Sequence, residues 1–361
     1  MTSSKDVEAS SSQHKSKKQK TQRQGYIYDG QNRITMWPEE QIRHFISVST
    51  RHLILSVLEQ YTTDMSRIES EWDYITTHTP DHLKSKLPKQ LKLSVNGYQY
   101  LTRKMTQITL HEPNINTREQ YDFANASFIY DSNPKQPVFI ASQSPMPSTI
   151  TQFWKMVWEW NVSTIVMLSV VREKGDVKGC RYWPKEGIVS YGQFEICVVS
   201  KHAVCPHYLV RSFYIKDRIS GSSRTLTQFQ YKSWNDVTDN TPANLSSFLE
   251  FRRKIQRSNI SCKTPTVVHC RDGLGRTGTF ILLELALRKL ARDGDKIKEL
   301  DPCALLEFLR DQRPGLVSNK QQYQFFVGAF CEEVHAMMTV AEESGNHGNQ
   351  LLLKLQQQLL T

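Results

Sequence analysis

Apolar positions along the chain recur with two periods, and the places where the period changes mark its elements. After Trp37-Pro38-Glu39-Glu40, a helix start with proline and acids in its first turn, Ile42, Phe45, Ile46, Leu53, Ile54, Val57 and Leu58 follow at helical spacing. The folded part is expected to begin there. A short continuous apolar run, Thr164 to Leu168, predicts a buried strand, and a charged hairpin follows at Glu173-Lys174-Gly175-Asp176-Val177-Lys178. Alternating runs at 193–200, 208–216 and 224–232 predict three strands of an antiparallel stretch. The run through Val267-Val268 stops at Cys270, a loop with Gly273 and Gly275 intervenes, and from Arg276 the spacing turns helical through Phe280, Leu283, Leu287 and Leu290. That segment reads as strand, loop, helix. Asp301-Pro302 opens another helix, through Leu305, Leu306 and Leu309, which stops at Arg313-Pro314-Gly315. Tyr323, Phe326, Val327, Phe330 and Val334 form a closing amphipathic helix.

Composition places limits on this picture. The chain has 361 residues, 39% hydrophobic and 23% charged, which suits one large domain with a substantial core. Residues 1–35 hold Lys5, Lys15, Lys17, Lys18, Lys20 and Arg23 among serines and glutamines, with too little apolar surface to offset ordering, so a disordered basic tail is expected. Residues 36–340 are expected to form the domain, and 341–361, with Leu351-Leu352-Leu353-Lys354-Leu355, a C-terminal extension of helical character. The net charge of +10 favours phosphorylated or acidic partners and weak binding of the tail to anionic surfaces; no nucleic-acid partner is expected. The sequence contains neither a membrane-spanning apolar run nor the hydrophobic core of a signal peptide, and its seven scattered cysteines fit reduced thiols. A cytoplasmic protein with access to the nucleus is the resulting expectation. His202-x2-Cys205-x-His207 is read as strand and turn residues rather than a metal site, and neither metal nor cofactor is expected.

The chemistry concentrates at the Cys270 loop. A short loop entering a helix aims several backbone NH groups at one point, and glycines permit the close approach this requires. Such a cradle suits a phosphate, and the same field with a guanidinium lowers the pKa of a cysteine. Cys270 is then a nucleophile at neutral pH, Arg276 a planar fork for two phosphate oxygens, and Thr277 a hydroxyl that stabilises the thiolate as leaving group. The plain alternative is a buried cysteine beside an ordinary glycine turn.

Cys270 through Arg276 has the form Cys-x5-Arg, and with His269 before it and Thr277-Gly278 after it the string resembles the signature of the protein tyrosine phosphatases. Three further stretches resemble scaffold blocks of that family: Tyr121 to Ile129, Ile140 to Pro147 and Phe153 to Glu159. The resemblance covers roughly residues 40–340. It implies an α/β fold, a twisted mixed β-sheet flanked by α-helices. It also implies roles. The loop residues Arg271, Asp272, Gly273, Leu274, Gly275 and Thr277 bind the phosphate, with His269 supporting them. Tyr98 becomes the aromatic wall that sets pocket depth, although Tyr100 stands where the family has Asp or Asn. Glu173 braces the phosphate-binding arginine, Lys178 lies near the acid loop, and Gln322 is the second of two glutamines that handle the hydrolytic water. Asp236, in Trp234-Asn235-Asp236, is the general acid that protonates the tyrosyl oxygen as it leaves.

Departures from the family pattern imply weak activity. Asn235 replaces a proline, Thr238 a glycine and Ser318 the first glutamine. Asp272 stands where active members carry a small residue; an anion about 6 Å from a thiolate, at an effective dielectric near 20, costs roughly 3 kcal/mol. Asp272, Phe251 to Lys254 and Arg310 to Val317 look most like the islet-autoantigen branch of receptor-type phosphatases, which is poorly active or inactive on phosphotyrosine. The expectation is a phosphotyrosine-protein phosphatase of attenuated activity. The alternatives are a pseudophosphatase that binds phosphotyrosine proteins without efficient hydrolysis and, as a minor reading from the acidic residue after Cys-x, a phosphoinositide phosphatase of the myotubularin type.

Overall fold

In the computed structural model, the structure describes residues 48–77, 94–95, 98–99, 106–110, 122–131, 137–173, 176–177, 179–235, 240–259, 264–293 and 301–343. The chain opens with two helices, α1 (Val48–Thr63) and α2 (Met65–Thr77), and a two-residue pairing of β1 (Ser94–Val95) with β2 (Tyr98–Gln99). Strands β3 (Gln107–Leu110), β4 (Asp122–Tyr130) and β5 (Pro137–Ser142) lead to helix α3 (Ile150–Glu159) and strand β6 (Thr164–Met167). A small ribbon, β7 (Arg172–Glu173) with β8 (Asp176–Val177), follows. Next come β9 (Ile188–Tyr191), β10 (Phe194–Ala203), β11 (Tyr208–Asp217) and β12 (Ser223–Tyr231), then the ribbon of β13 (Trp234–Asn235) with β14 (Thr241–Pro242). Helix α4 (Leu245–Asn259), strand β15 (Thr266–His269) and helices α5 (Gly275–Asp293), α6 (Pro302–Gln312) and α7 (Lys320–Glu343) complete it.

Nine strands form one mixed sheet in the order β3-β4-β5-β15-β6-β12-β11-β10-β9. The pairings of β15 with β5 and β6, and of β6 with β12, are parallel; the flanking ones are antiparallel. The sequence explains the difference. All four residues of β15 and of β6 are buried, as strands covered on both faces must be. Strand β11 alternates between buried and half-buried positions. The sheet divides the apolar interior in two. Val268, Phe229 and Ile129 face helices α1, α2 and α4 to α7; Val267, Ile165 and Phe213 face α3, whose Trp154 is fully buried.

The α/β class and mixed sheet are as expected, and the predicted strands at 193–200, 208–216 and 224–232 appear within a few residues as β10, β11 and β12. Asp301 caps α6 as its position before Pro302 suggested, accepting from the amides of Cys303 at 2.8 Å and Ala304 at 3.1 Å. The helix expected after Trp37 is described only from Val48, and the tail 1–35 and the leucine-rich end lie outside the described residues. No described helix is long and apolar enough to cross a membrane. Among the described residues no group of three His, Cys, Asp or Glu is gathered to hold a metal, and His207 Nδ1 instead lies 3.0 Å from Ser233 Oγ.

One polar cluster ties three helices together inside the larger core. Arg252 of α4 lies 3.1 Å from Glu284 of α5 and 3.0 Å from Glu333 of α7, and Arg253 also holds Glu333. Arg252 and Glu333 are completely buried, so removing one partner would strand a charge in the interior.

Candidate active site

The site lies at the carboxyl end of β15, between parallel neighbours β5 and β6, where open α/β sheets leave a crevice. Residues 270–274 turn from that strand into α5. Their shape is fixed from below. Gly273 has φ +71°, and a Cβ there would stand 2.3 Å from the Ser142 carbonyl oxygen, so only glycine fits. Gly275, the other expected glycine, is closely approached: a Cβ there would meet the Gln322 side-chain amide at 2.8 Å and Ser318 Oγ at 2.9 Å, so a larger residue would have to displace those side chains. The amides of Ser144 and Gly278 donate to the carbonyls of Arg271 and Leu274.

The main brace is Arg313, completely buried at the end of α6. Its guanidinium donates to the carbonyls of Gly273 (2.9 Å) and Asp272 (3.3 Å), to Ser127 Oγ (3.1 Å) and to Asn125 Oδ1 (3.0 Å). Sequence reasoning read Arg313 only as part of a helix stop, because its partners are 40 to 188 residues away. His269, the supporting residue, is also completely buried. Its Nε2 lies 2.9 Å from the Tyr182 hydroxyl, which also accepts from Gln228 Nε2; Arg211 in turn donates to Gln228 Oε1 and Gln230 Oε1. Burial pushes the His269 imidazole from 6.5 down to about 4, so the ring is neutral beneath the loop.

The nucleophile candidate departs from expectation. Cys270 is 2% exposed, and its thiol is pushed up from its ordinary value, first by burial and then by the Asp272 carboxylate. The Thr277 hydroxyl and amide and the Arg276 charge pull the other way, but they are the smaller causes. The push from Asp272 and the opposing pull of Arg276 and Thr277 have the directions expected of them, and burial is the addition. The separation is corrected: Asp272 Oδ1 lies 3.3 Å from Cys270 Sγ, close enough to accept from the thiol, rather than about 6 Å away. The same oxygen accepts from the Leu274 amide at 3.0 Å. A carboxylate of the protein therefore takes one of the amides that would serve an external anion, and does so at the sulfur. The Thr277 hydroxyl has no oxygen or nitrogen partner among the described residues, which leaves it available to the sulfur.

Arg276 is 6% exposed, at the first turn of α5. Its Nη1 donates to the Leu168 carbonyl at 3.2 Å and its Nε to Asn240 Oδ1 at 3.3 Å, and its guanidinium stands 5.7 Å from the centre of the Trp234 ring. Gln322 is completely buried beside Gly275; its Oε1 accepts from the Ser318 amide at 2.9 Å and its Nε2 donates to the Asn240 carbonyl at 3.2 Å. Arg271 is exposed and Leu274 half-buried. The structure thus gathers His269, Cys270, Arg271, Asp272, Gly273, Leu274, Gly275, Arg276, Thr277 and Gln322. Asp236 and Lys178 lie outside the described residues. Tyr98 and Glu173 are placed as backbone of β2 and β7, with their side chains outside the description. Asn240 was missed: it accepts from Trp234, six residues away, but also from Arg276 and Gln322, 36 and 82 residues away, and no local pattern marks those two contacts.

The comparisons with known proteins agree on one family. The family model described as protein-tyrosine phosphatase matches residues 99–332. The chain is 38% identical over 310 residues to the receptor-type tyrosine-protein phosphatase N2 of Mus musculus, covering 84% of this chain and 30% of that protein. It is 38% identical over 305 residues to the receptor-type tyrosine-protein phosphatase-like N of Homo sapiens, with the same coverages of 84% and 30%. The phosphatase-like ida-1 of Caenorhabditis elegans is 36% identical over 312 residues, covering 84% of this chain and 38% of that one. The chain therefore spans about 30% of the length of the first curated relatives it matches. Among solved structures, the catalytic domain of human protein tyrosine phosphatase non-receptor type 18 superposes with a TM-score of 0.68 at 23% identity, covering 78% of this chain and 99% of that one, a likeness of fold.

Proposed function

The chain belongs to the protein-tyrosine phosphatase family, and from that premise we propose that it is a cytoplasmic phosphotyrosine-protein phosphatase of attenuated turnover. The observation that carries this reading is the strand-loop-helix junction that sets Cys270 Sγ beside Thr277 and at the start of the helix bearing Arg276. In the first step the Cys270 thiolate attacks phosphorus, the S–P bond forms and the bond to the tyrosyl oxygen breaks, while Asp236 gives that oxygen a proton. The Arg276 fork stabilises the transferring group. In the second step water, held by Gln322, opens the S–P bond and releases inorganic phosphate. Attenuation follows from the site: the thiol must lose its proton against burial and against a carboxylate in contact with it.

That contact also favours a second reading, phosphotyrosine binding without efficient hydrolysis, because a thiol hydrogen-bonded to Asp272 is a poor nucleophile. Stopped-flow with an aryl phosphate on wild type, Cys270→Ser, Asp272→Ala and Ser318→Gln separates the two. A stoichiometric burst with slow turnover, relieved by Ser318→Gln, is the outcome expected of an enzyme limited at hydrolysis. Wild-type rates equal to those of Cys270→Ser, with release appearing in Asp272→Ala, assign the protein to binding and the loss to that carboxylate.

A further inference from the structure

Strand β5 runs parallel to β15, and the residues that follow it flank the Cys270 loop: the Ser144 amide donates to the Arg271 carbonyl at 3.1 Å. Between this segment and the first two turns of α3 lies a cavity of about 50 Å³. A water needs about 10–15 Å³ of such space, so there is room for roughly three or four waters or one small organic group. Most of the polar wall is already paired. Asn125 Nδ2 donates to Gln143 Oε1 at 2.9 Å, the Ser142 hydroxyl donates to the Gln143 carbonyl at 2.9 Å, and Thr149 Oγ1 accepts from the Met146 amide at 2.9 Å. Ser144 Oγ and Gln152 Oε1, on the same wall, are buried atoms without a hydrogen-bond partner among the described residues. Ser144 is 1% exposed, while Gln143, Thr149 and Gln152 are half-buried, so the cavity opens to solvent on their side.

We infer that this cavity is a subsite for a neutral carboxamide, carried either on a residue that flanks phosphotyrosine in a substrate or on a free small molecule. The lining disfavours an ion, because none of its described residues is ionisable. Buried polar atoms without partners cost stability unless something enters to bond them. Gln152 Oε1 only accepts, so the entering group must donate; the Ser144 hydroxyl can donate or accept. A carboxamide carries two N–H donors and a carbonyl acceptor on one planar carbon, so it answers both atoms. It also answers the glutamine side chain whichever way that amide is turned. Phe153, Met156 and Pro145 form an apolar wall that suits the methylenes of an asparagine or glutamine side chain. Position supplies the link to substrate. His269 pairs with Ser142 across the sheet, so the strand leading to the cavity lies one strand spacing, about 4.8 Å, from the strand that ends at the nucleophile.

The substrate source rests on the phosphotyrosine reading of the Cys270 loop, and the test keeps the two apart. In the first arm, propionamide is titrated into the 15N-labelled full chain. It shifts the Ser144 backbone amide and the Gln152 side-chain amide saturably in wild type, and its affinity falls about fivefold in Ser144→Ala and in Gln152→Met. Ser144→Ala removes an unpartnered hydroxyl and melts no lower than wild type, so the loss is not one of folding. In the second arm, phosphotyrosine peptides that carry glutamine or leucine at each flanking position in turn are bound to Cys270→Ser. At one position glutamine binds about tenfold tighter than leucine, and adding Ser144→Ala abolishes the preference. A propionamide response without a peptide preference assigns the subsite to a free amide; a peptide preference without that response assigns it to substrate. Peptides that fail to bind at all, with propionamide still shifting both amides, overturn the phosphotyrosine reading and leave the subsite standing. Neither response, or responses equal in the two variants and wild type, overturns the inference and leaves a cavity filled by water only.

Discussion

The underside of the Cys270 loop and its upper rim are built from different materials. Beneath the loop the charge and the ring are matched: Arg313 spreads its guanidinium over four acceptors, His269 sits neutral against Tyr182, and Gly273 presses on the Ser142 carbonyl. On the rim, the groups that would meet a ligand are engaged with one another. Asp272 reaches both Cys270 and the Leu274 amide, and Arg276 reaches Asn240. The contrast separates two properties that one motif encodes. Loop shape is held by side chains that never touch a phosphate, so it survives substitutions on the rim, while reactivity is set by a few ångströms around the sulfur.

The sharpest way to break that contrast is to attack the underside. Arg313→Met leaves the carbonyls of Gly273 and Asp272 without their charged donor in a sealed interior and is expected to cost about 4 kcal/mol of stability, read as a shift of the urea unfolding curve. A loss under about 1 kcal/mol would mean that the loop holds itself without the brace.

The next effect concerns acid. The unfolded His269 imidazole titrates near 6.5 and the folded one near 4, so between those values the unfolded chain binds more protons. Stability from this group is therefore complete above pH 6.5 and lost as pH falls toward 4, by about 3 kcal/mol in all. Unfolding curves for wild type and His269→Gln should converge as the buffer is acidified through that window; parallel curves would show that the ring charges without penalty.

The smallest expected effect belongs to the rim. Asp272→Ala removes the second cause of the raised thiol pKa, leaving burial as the first. Alkylation of Cys270 by iodoacetamide at neutral pH should quicken by about tenfold, with its midpoint moved to lower pH and the unfolding curve nearly unmoved. An unchanged alkylation profile would assign the reluctance of the thiol to burial alone.

Much of the rim was legible in the sequence, because Cys270, Asp272, Arg276 and Thr277 fall within eight consecutive residues and their chemistry depends on that spacing. The antiparallel strands β10 to β12 were legible for a similar reason: their alternation is local and short turns join them. The underside was not. Strand β15 finds β5 and β6 through long crossovers, and Arg313 meets Asn125 and Ser127 across more than 180 residues. Nor could spacing say how near Asp272 comes to the sulfur, since that depends on the left-handed turn at Gly273 and on which way a short side chain folds.

The charge cluster of Arg252, Glu284 and Glu333 also constrains how this molecule can change over time. Each member is sealed from water and answers to another on a different helix, so a lone replacement strands an ion, whereas an apolar set of matching volume can be tolerated. Descendants of this chain should therefore keep all three or exchange them together, with few viable steps between, and the packing of α4, α5 and α7 would be inherited as a single unit.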